Sequence, residues 1–260
     1  MVRTLSGGGR LRDQVAVITG GGRGIGRAIA LGLAAEGATV AVLARTGAEL
    51  EETAAAARER GGDGVAIVVD CLDGPALKAA VAGVGERFGR LDVLVNNVGG
   101  LVGDVAKLGA LDHDDELFER NLALNLTSAY YATRAALAPM VAGGYGRVLS
   151  IGSGYATHGG GTIAYSAAKH GLVGLTRALA YQVPEAITVN CLCPGWTETA
   201  LLGWAGPEAA AAARAKAAAQ TVQGRVLAPQ ELVPMAVLLA SPEGGGITGQ
   251  VISVDGGYKV

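Results

Sequence analysis

Aromatic residues are scarce in this sequence, with two Trp, two Phe and seven Tyr among 260 residues. Glycine (42 residues) and alanine are abundant instead, and half the residues are hydrophobic. That composition suits helices packed closely on a buried parallel sheet better than a β-sandwich or a disordered chain. Neither sign of charge is in excess: 21 Lys and Arg against 23 Asp and Glu leave a formal charge of −2, with the basic residues scattered. No electrostatic footprint for nucleic acid or an anionic membrane follows, so the expected partners are small molecules and further copies of the chain. Cysteine is limited to Cys71, Cys191 and Cys193. An odd count gives no disulfide framework, and the Cys-Leu-Cys spacing lacks partner ligands for a metal, so all three are expected to be buried thiols with no metal site. The first fourteen residues lack an apolar core, and no later apolar run approaches the ~18 residues of a spanning helix, which points to a soluble, cytoplasmic protein. No Pro/Ser-rich linker divides the chain. The expectation is a flexible segment over 1–12 and one domain over 13–260.

From Val15 onward, Val- and Ile-rich runs alternate with longer Ala-rich stretches of helical period, the signature of repeated βαβ units. Seven strands are predicted, at 15–19, 39–44, 64–70, 91–97, 146–152, 187–192 and 250–255. Right-handed crossovers would place helices on both faces of one open parallel sheet, a doubly wound α/β domain. The Ala-rich stretch after the sixth strand is a candidate helical lid over a substrate cleft, at about 198–228.

The first strand runs into Thr19-Gly20-Gly21-Gly22-Arg23-Gly24-Ile25-Gly26 and then a helical pattern ending at Gly37. A helix N-terminus with unpaired N–H groups favours a pyrophosphate, and glycines let the backbone approach it. The spacing departs from the strict G-x-G-x-x-G fingerprint, and no Gly-Lys-Ser/Thr follows, which excludes a P-loop. Where a dinucleotide fold specific for NAD places an acid, at the end of the second strand, Ala44 and Arg45 stand instead. An acid would repel a 2′-phosphate, whereas Arg45, with Arg23 from the turn, can bind it through charge-assisted bonds, so NADP(H) is predicted over NAD(H). Arg45 as a plain solvated loop residue is the competing possibility.

Tyr165 and Lys169 fall in AYSAAKHGLVGLTRALA, where i, i+4 spacing on a helix puts both on one face. A free phenol has a pKa near 10, and a neighbouring ammonium would lower it by roughly 1 to 3 units, making Tyr165 a usable general acid or base. Ser153 closes the preceding strand run, where parallel strands deliver functional groups at their carboxyl ends.

The motifs TGGGRGIG, NNVG (96–99), NLTSAYYATRAALAPM (125–140), GRVLSIGS (146–153), YSAAK (165–169), NCLCPGWTET (190–199) and ITGQVISVDGG (247–257) together make the chain after residue 12 resemble the short-chain dehydrogenase/reductase family. That resemblance implies a single Rossmann-type domain and a tetrad of Asn125, Ser153, Tyr165 and Lys169. In it Tyr exchanges a proton with the substrate oxygen, Ser orients that oxygen, Lys binds the nicotinamide ribose and tunes Tyr, and Asn holds a water. Asn121 is a nearby alternative to Asn125. For the cofactor the resemblance implies Thr19, Gly20, Gly22, Arg23, Gly24, Ile25 and Gly26 in the turn, Arg45 after the second strand and Asp70 at the adenine with Cys71 beside it. Asn97 and Gly99 would border the cofactor, Asn96 would brace the central strands, and Pro194, Gly195, Thr197 and Thr199 would shape the nicotinamide pocket. Thr197 and Thr199 compete for the carboxamide.

Two departures stand out. Ser153 and Tyr165 enclose eleven residues where the family commonly has twelve, so a count alone would select Gly152, and NNVG replaces the commoner NNAG. His113, His158 and His170 are not needed for the chemistry, although His158 lies in the substrate loop. DHDDE (112–116) reads as an acidic helix start. Trp196 and Trp204 either wall an apolar pocket or simply pack. The implied activity is NADP(H)-dependent reduction of a ketone to a secondary alcohol, or the reverse, by a homotetramer. A 3-oxoacyl-carrier-protein reductase is the nearest alternative, made less favourable because MVAGGYGR and YQVPEAITVN carry only Arg147. A non-catalytic NADP sensor would need none of the tetrad.

Overall fold

The computed structural model describes residues 9–103, 109, 111, 114–203 and 207–260. In it the apolar runs form β1 (Val15–Thr19), β2 (Thr39–Ala44), β3 (Asp63–Val68), β4 (Val93–Asn96), β5 (Gly146–Ile151), β6 (Ile187–Pro194) and β7 (Val251–Val254). All six pairings are parallel, and the spatial order is β3-β2-β1-β4-β5-β6-β7. The chain is thus a single α/β domain built on one seven-stranded parallel sheet with helices on both faces, as its strand pattern predicts.

Period-2 alternation explains why β1 is apolar at each of its first four positions, Val15 to Ile18. Ala16 and Ile18 face one core with Val40, Val42, Val93 and Val95, whereas Val15 and Val17 face the other with Ala41, Leu43 and Leu94. A sheet buried on both faces needs both sets. Onto the first core packs α1 (Gly24–Ala35), through Ile29 and Leu33. Leu50 of α2 (Gly47–Arg58) joins the same core. The second core is closed by α3 (Gly74–Phe88), through Leu77, Val81 and Val84. After β4 come α4 (Asp115–Leu122) and α5 (Ser128–Gly143), the latter supplying Ala132, Ala136 and Met140 to that core. The remaining helices are α6 (Ile163–Gln182), α7 (Ala200–Gly203), α8 (Pro207–Ala218) and α9 (Val233–Ala240).

Strand ends differ from the pattern where side chains intervene. β4 starts only at Val93, because the Asp92 carboxylate accepts from Val15 N and from the Arg90 guanidinium, at 2.8 Å each. It stops at Asn96, because Asn97 turns its amide onto the glycine-rich turn. β6 instead continues two residues past the predicted 192, still paired with β7 through Pro194. Residues 10–12, expected within a flexible segment, are packed onto the domain. Arg10 pairs with Glu36 at 2.5 Å, and Leu11 is fully buried in the first core. Residues 1–8, His113 and Trp204 lie outside the described residues, as does part of the DHDDE run.

Candidate active site

From β1 the chain crosses to β2 on one side, whereas β4 leads to β5 on the other. Beyond the carboxyl ends of β1 and β4 such a reversal leaves a crevice. Here it is a cleft of about 690 Å³, lined from both halves of the sheet. The glycine turn forms its floor. Gly20 (φ 66°) and Gly24 (φ 55°) take left-handed backbone that a Cβ would strain. A Cβ on Gly26 would stand 2.3 Å from the Gly20 carbonyl oxygen and 2.4 Å from Asn97 Nδ2. Asn97 locks the turn by donating to the Thr19 and Gly20 carbonyls at 3.0 and 3.1 Å, and the Thr19 hydroxyl accepts from Asn97 N at 3.1 Å.

Helices α3, α4 and α6 each begin on a side-chain cap, from Asp73, Asp114 and Thr162. The N-cap of α1 is Arg23, and it makes no such bond. The first N–H groups of α1 are therefore unclaimed at the point where the turn lines the cleft, as a pyrophosphate would require. Gly20, Gly22, Arg23, Gly24, Ile25, Arg45, Asp70, Cys71, Asn97 and Gly99 all border this space. Thr19 is buried behind it. Asp70 accepts from Leu72 N at 3.0 Å. Cys71 is a buried free thiol that burial pushes up to about 11. An acid that pattern reading passed over, Glu49 of α2, also lines the cleft and pairs with Arg23 at 3.7 Å.

On the opposite wall, α6 presents Tyr165 and Lys169 one turn apart, with Lys169 Nζ 5.5 Å from the Tyr165 ring centre. Lys169 is 3% exposed and donates to the Ile151 carbonyl at 2.8 Å. Burial pushes its ammonium down to about 8, partly offset by the sulfurs of Cys191 and Cys193 behind it. Burial also pushes the Tyr165 phenol up to about 12, and the facing Ser153 hydroxyl pulls it back only in part. The sequence-based expectation that Lys169 would lower this phenol is thus corrected. With Lys169 buried and Tyr165 packed among protein atoms at the cleft wall, desolvation of the phenolate dominates.

Asn125 completes the constellation from a π-helical turn, Ala123–Thr127, inserted between α4 and α5. Such insertions often mark functional sites, since they rotate one side chain out of the helical row. Asn125 accepts from Gly100 N at 2.9 Å and donates to Gly100 O at 2.8 Å and to Asn121 O at 2.9 Å. A Cβ on Gly99 would meet both Asn125 Oδ1 (2.8 Å) and Lys169 Nζ (3.2 Å), so these two side chains converge on one point of the loop. Asn121, the alternative, clasps Val102 N and O instead. Asn96 is buried, donating to Thr133 Oγ1 at 3.0 Å.

The short Ser–Tyr spacing does not displace Ser153. Gly152 lies against the Cys193 and Cys191 sulfurs, with no room for a side chain, whereas Ser153 lines the cleft and its hydroxyl accepts from Tyr155 N at 3.2 Å. Pro194, Gly195, Thr197 and Thr199 line the end of the cleft above β6. The Thr197 hydroxyl is spent on the Gly195 carbonyl at 3.0 Å, and Thr199 packs toward Gly24 across the cleft. The lid region is two helices, α7 and α8, and Thr197 pairs with Leu227 at its base.

An aromatic cluster that pattern reading did not assemble walls the cleft beside Tyr165. Tyr155 stands edge-on to Tyr165, Trp196 and Tyr258, at 6.4, 6.1 and 6.1 Å between ring centres. The only signal for it was the rarity of aromatics, since Tyr258 sits at the far end of the sequence. His158 packs edge-on against Tyr258 at 5.8 Å, and His170 faces away on exposed helix. Among the described residues, no helix is long and apolar enough to cross a membrane.

Comparisons with known proteins agree with this geometry. The family model described as enoyl-(acyl carrier protein) reductase matches residues 20–259. The short-chain reductase protein NovJ of Streptomyces niveus is 36% identical, covering 95% of this chain and 94% of its own. The 3-oxoacyl-[acyl-carrier-protein] reductase FabG of Escherichia coli is 34% identical, over 94% and 96%. Among solved structures, a variant of the actinorhodin polyketide ketoreductase with NADPH superposes with a TM-score of 0.86 at 34% identity, over 97% of this chain and 99% of that one.

Proposed function

Because the chain belongs to the short-chain dehydrogenase/reductase family, whose members are oxidoreductases, we propose that it is a cytoplasmic, NADP(H)-dependent ketoreductase interconverting a ketone and a secondary alcohol. The observation that carries this reading is the convergence of Tyr165, Ser153 and Lys169 beside an uncapped helix start in one cleft, with Asn125 buried behind the Gly100 loop that borders it. The bound nicotinamide would supply or accept the hydride. Gly20, Gly22, Gly24 and the first N–H groups of α1 would hold its pyrophosphate, Asp70 its adenine, and Thr199, Pro194 and Gly195 its nicotinamide end.

Tyr165 works as the acid in reduction. A phenol held near 12 stays protonated at neutral pH, so the proton is in place for a substrate oxygen developing negative charge. Ser153 orients that oxygen. Lys169, charged below about 8, stabilises the phenolate once the proton has left. Asn125 is a positioning residue: through Gly100 it sets the loop that faces Lys169.

NADP(H) is favoured over NAD(H) because Ala44 leaves the second strand without a terminal acid, while Arg45 and Arg23 both border that corner. Glu49 offsets one of these charges, and the balance remains cationic. A carrier-protein substrate is less favoured. Arg147, the one basic residue in the stretches expected to dock a carrier, is 6% exposed and donates to the Ser241, Gly146 and Ala186 carbonyls. The proposed assembly is a homotetramer. Tyr181 of α6 is 93% exposed in the single chain, and an interface along α6 would cover it.

The test is NADPH oxidation over a panel of ketones, run beside Tyr165→Phe. Turnover that falls by at least about a hundredfold in the variant, with NADPH binding retained, is the expected result. A variant as active as the parent would overturn the assignment.

A further inference from the structure

The cleft does not end at Tyr165. Past the rings of Tyr155 and Trp196 lies a second hollow of about 310 Å³, which shares Tyr155, Trp196 and Leu202 with the main cleft. Its wall carries two ammonium groups, Lys216 from α8 and Lys259 from the C-terminal tail. No Asp or Glu lines it, and among the described residues neither lysine joins an ion pair.

Lys259 is held in this place. Its Nζ donates to the Gly159 carbonyl at 2.8 Å and lies 5.9 Å from the Tyr155 ring centre and 5.2 Å from that of Tyr258. Its backbone sits at φ 50°, a left-handed conformation costly for a residue with a Cβ. The tail and the lid are tied in register as well. Thr221 pairs with Tyr258, and Lys259 N donates to the Gln220 carbonyl at 3.2 Å. One bond to Gly159 leaves Lys259 two further donors, and among the described residues Lys216 keeps all three of its own. One tethered cation, Lys259, a second on the exposed face of α8, Lys216, no Asp or Glu in the lining and an aromatic wall make an anion site adjoining the main cleft.

We propose that this hollow is the anion subsite of the same active site, so that the substrate is a ketone, or the matching secondary alcohol, carrying a carboxylate at the other end of a flat apolar body. The carbonyl meets Tyr165, the body lies along Tyr155 and Trp196, and the carboxylate meets Lys259 and Lys216. The assignment of the carbonyl end rests on the ketoreductase reading above. The anion subsite rests on the lysines alone.

The full chain is titrated by calorimetry with benzoylpropionate, an aryl ketone ending in a carboxylate, with its methyl ester and with phosphopantetheine. The acid is expected to bind about tenfold tighter than the ester, the scale of charge-assisted bonds. Lys259→Asn, which tolerates left-handed backbone, combined with Lys216→Ala should erase that preference, and Lys259→Arg alone should keep it. Equal binding of acid and ester by the parent, or a preference surviving in the double variant, would overturn the proposal. Phosphopantetheine binding tighter than the acid, and lost in the same double variant, would also overturn it and give the subsite to a carrier arm. Turnover with NADPH is read separately. A lysine-dependent acid preference without any ketone reduction keeps the subsite and removes the ketoreductase reading, and reduction without that preference does the reverse.

Discussion

Exchanging Lys169 for Met replaces a buried ammonium with an apolar chain of similar length, and two opposing terms decide the effect on stability. Burial lowers the lysine from 10.5 to about 8, a differential cost of about 3 kcal/mol for keeping the charge in the fold. Its bond to the Ile151 carbonyl at 2.8 Å returns about 1 kcal/mol. At pH 7, where the lysine is charged in both states, Lys169→Met should therefore be more stable than the parent by about 2 kcal/mol, or roughly 4–8 °C in melting temperature. The advantage has a pH signature. Because the folded pKa lies below the unfolded one, between about 8 and 10.5 the unfolded chain holds a proton that the folded chain has released. The parent's stability then rises with pH through that window, so the gap should close and reverse slightly by its upper end. The assay is urea unfolding of both proteins from pH 6.5 to 10.5, compared as a difference so that groups common to both cancel. A gap independent of pH, or a variant less stable at pH 7, would refute the desolvation account of this lysine.

Two further outcomes follow from the geometry. Glu49→Gln removes the carboxylate that pairs with Arg23 at 3.7 Å, and should shift the ratio of NADPH to NADH affinity toward NADPH by severalfold, read by cofactor titration. An unchanged ratio would place the 2′-phosphate away from Arg23. Small-angle scattering of the purified chain should give a particle of four chains, and a monomer would remove the tetramer from the proposal.

Much of the site was legible before any coordinates because its parts are local. The glycine turn is one contiguous run, Tyr165 and Lys169 are one helical turn apart, and each strand declares itself as a short run rich in Val and Ile. The preference for Asn125 over Asn121 rested on motif alignment. The structure separates the two by partner, Gly100 for one and Val102 for the other, through a π-turn that no 3.6-residue period foretells.

Other features were not legible because they depend on residues far apart in sequence or on exclusion of water. Glu49 reaches Arg23 only because α2 packs beside the turn. Tyr258 and Lys259 reach Tyr155 only because the tail doubles back past β7 onto the lid. Leu11, in a polar segment, is buried because the chain before β1 folds under α1 and bonds to Glu36.

The amino-acid sequence by itself determined the order of elements, the parallel sheet, the glycine-rich turn and the Tyr–Lys pair, since each follows from spacing along a single strand, turn or helix. Only the tertiary structure decided the protonation of that pair and the company it keeps. Spacing put Lys169 near Tyr165 and predicted a lowered phenol, but pKa is set by all surrounding dielectric and charge, and packing against β5 and β6 buried Lys169 while the aromatic cluster covered part of Tyr165.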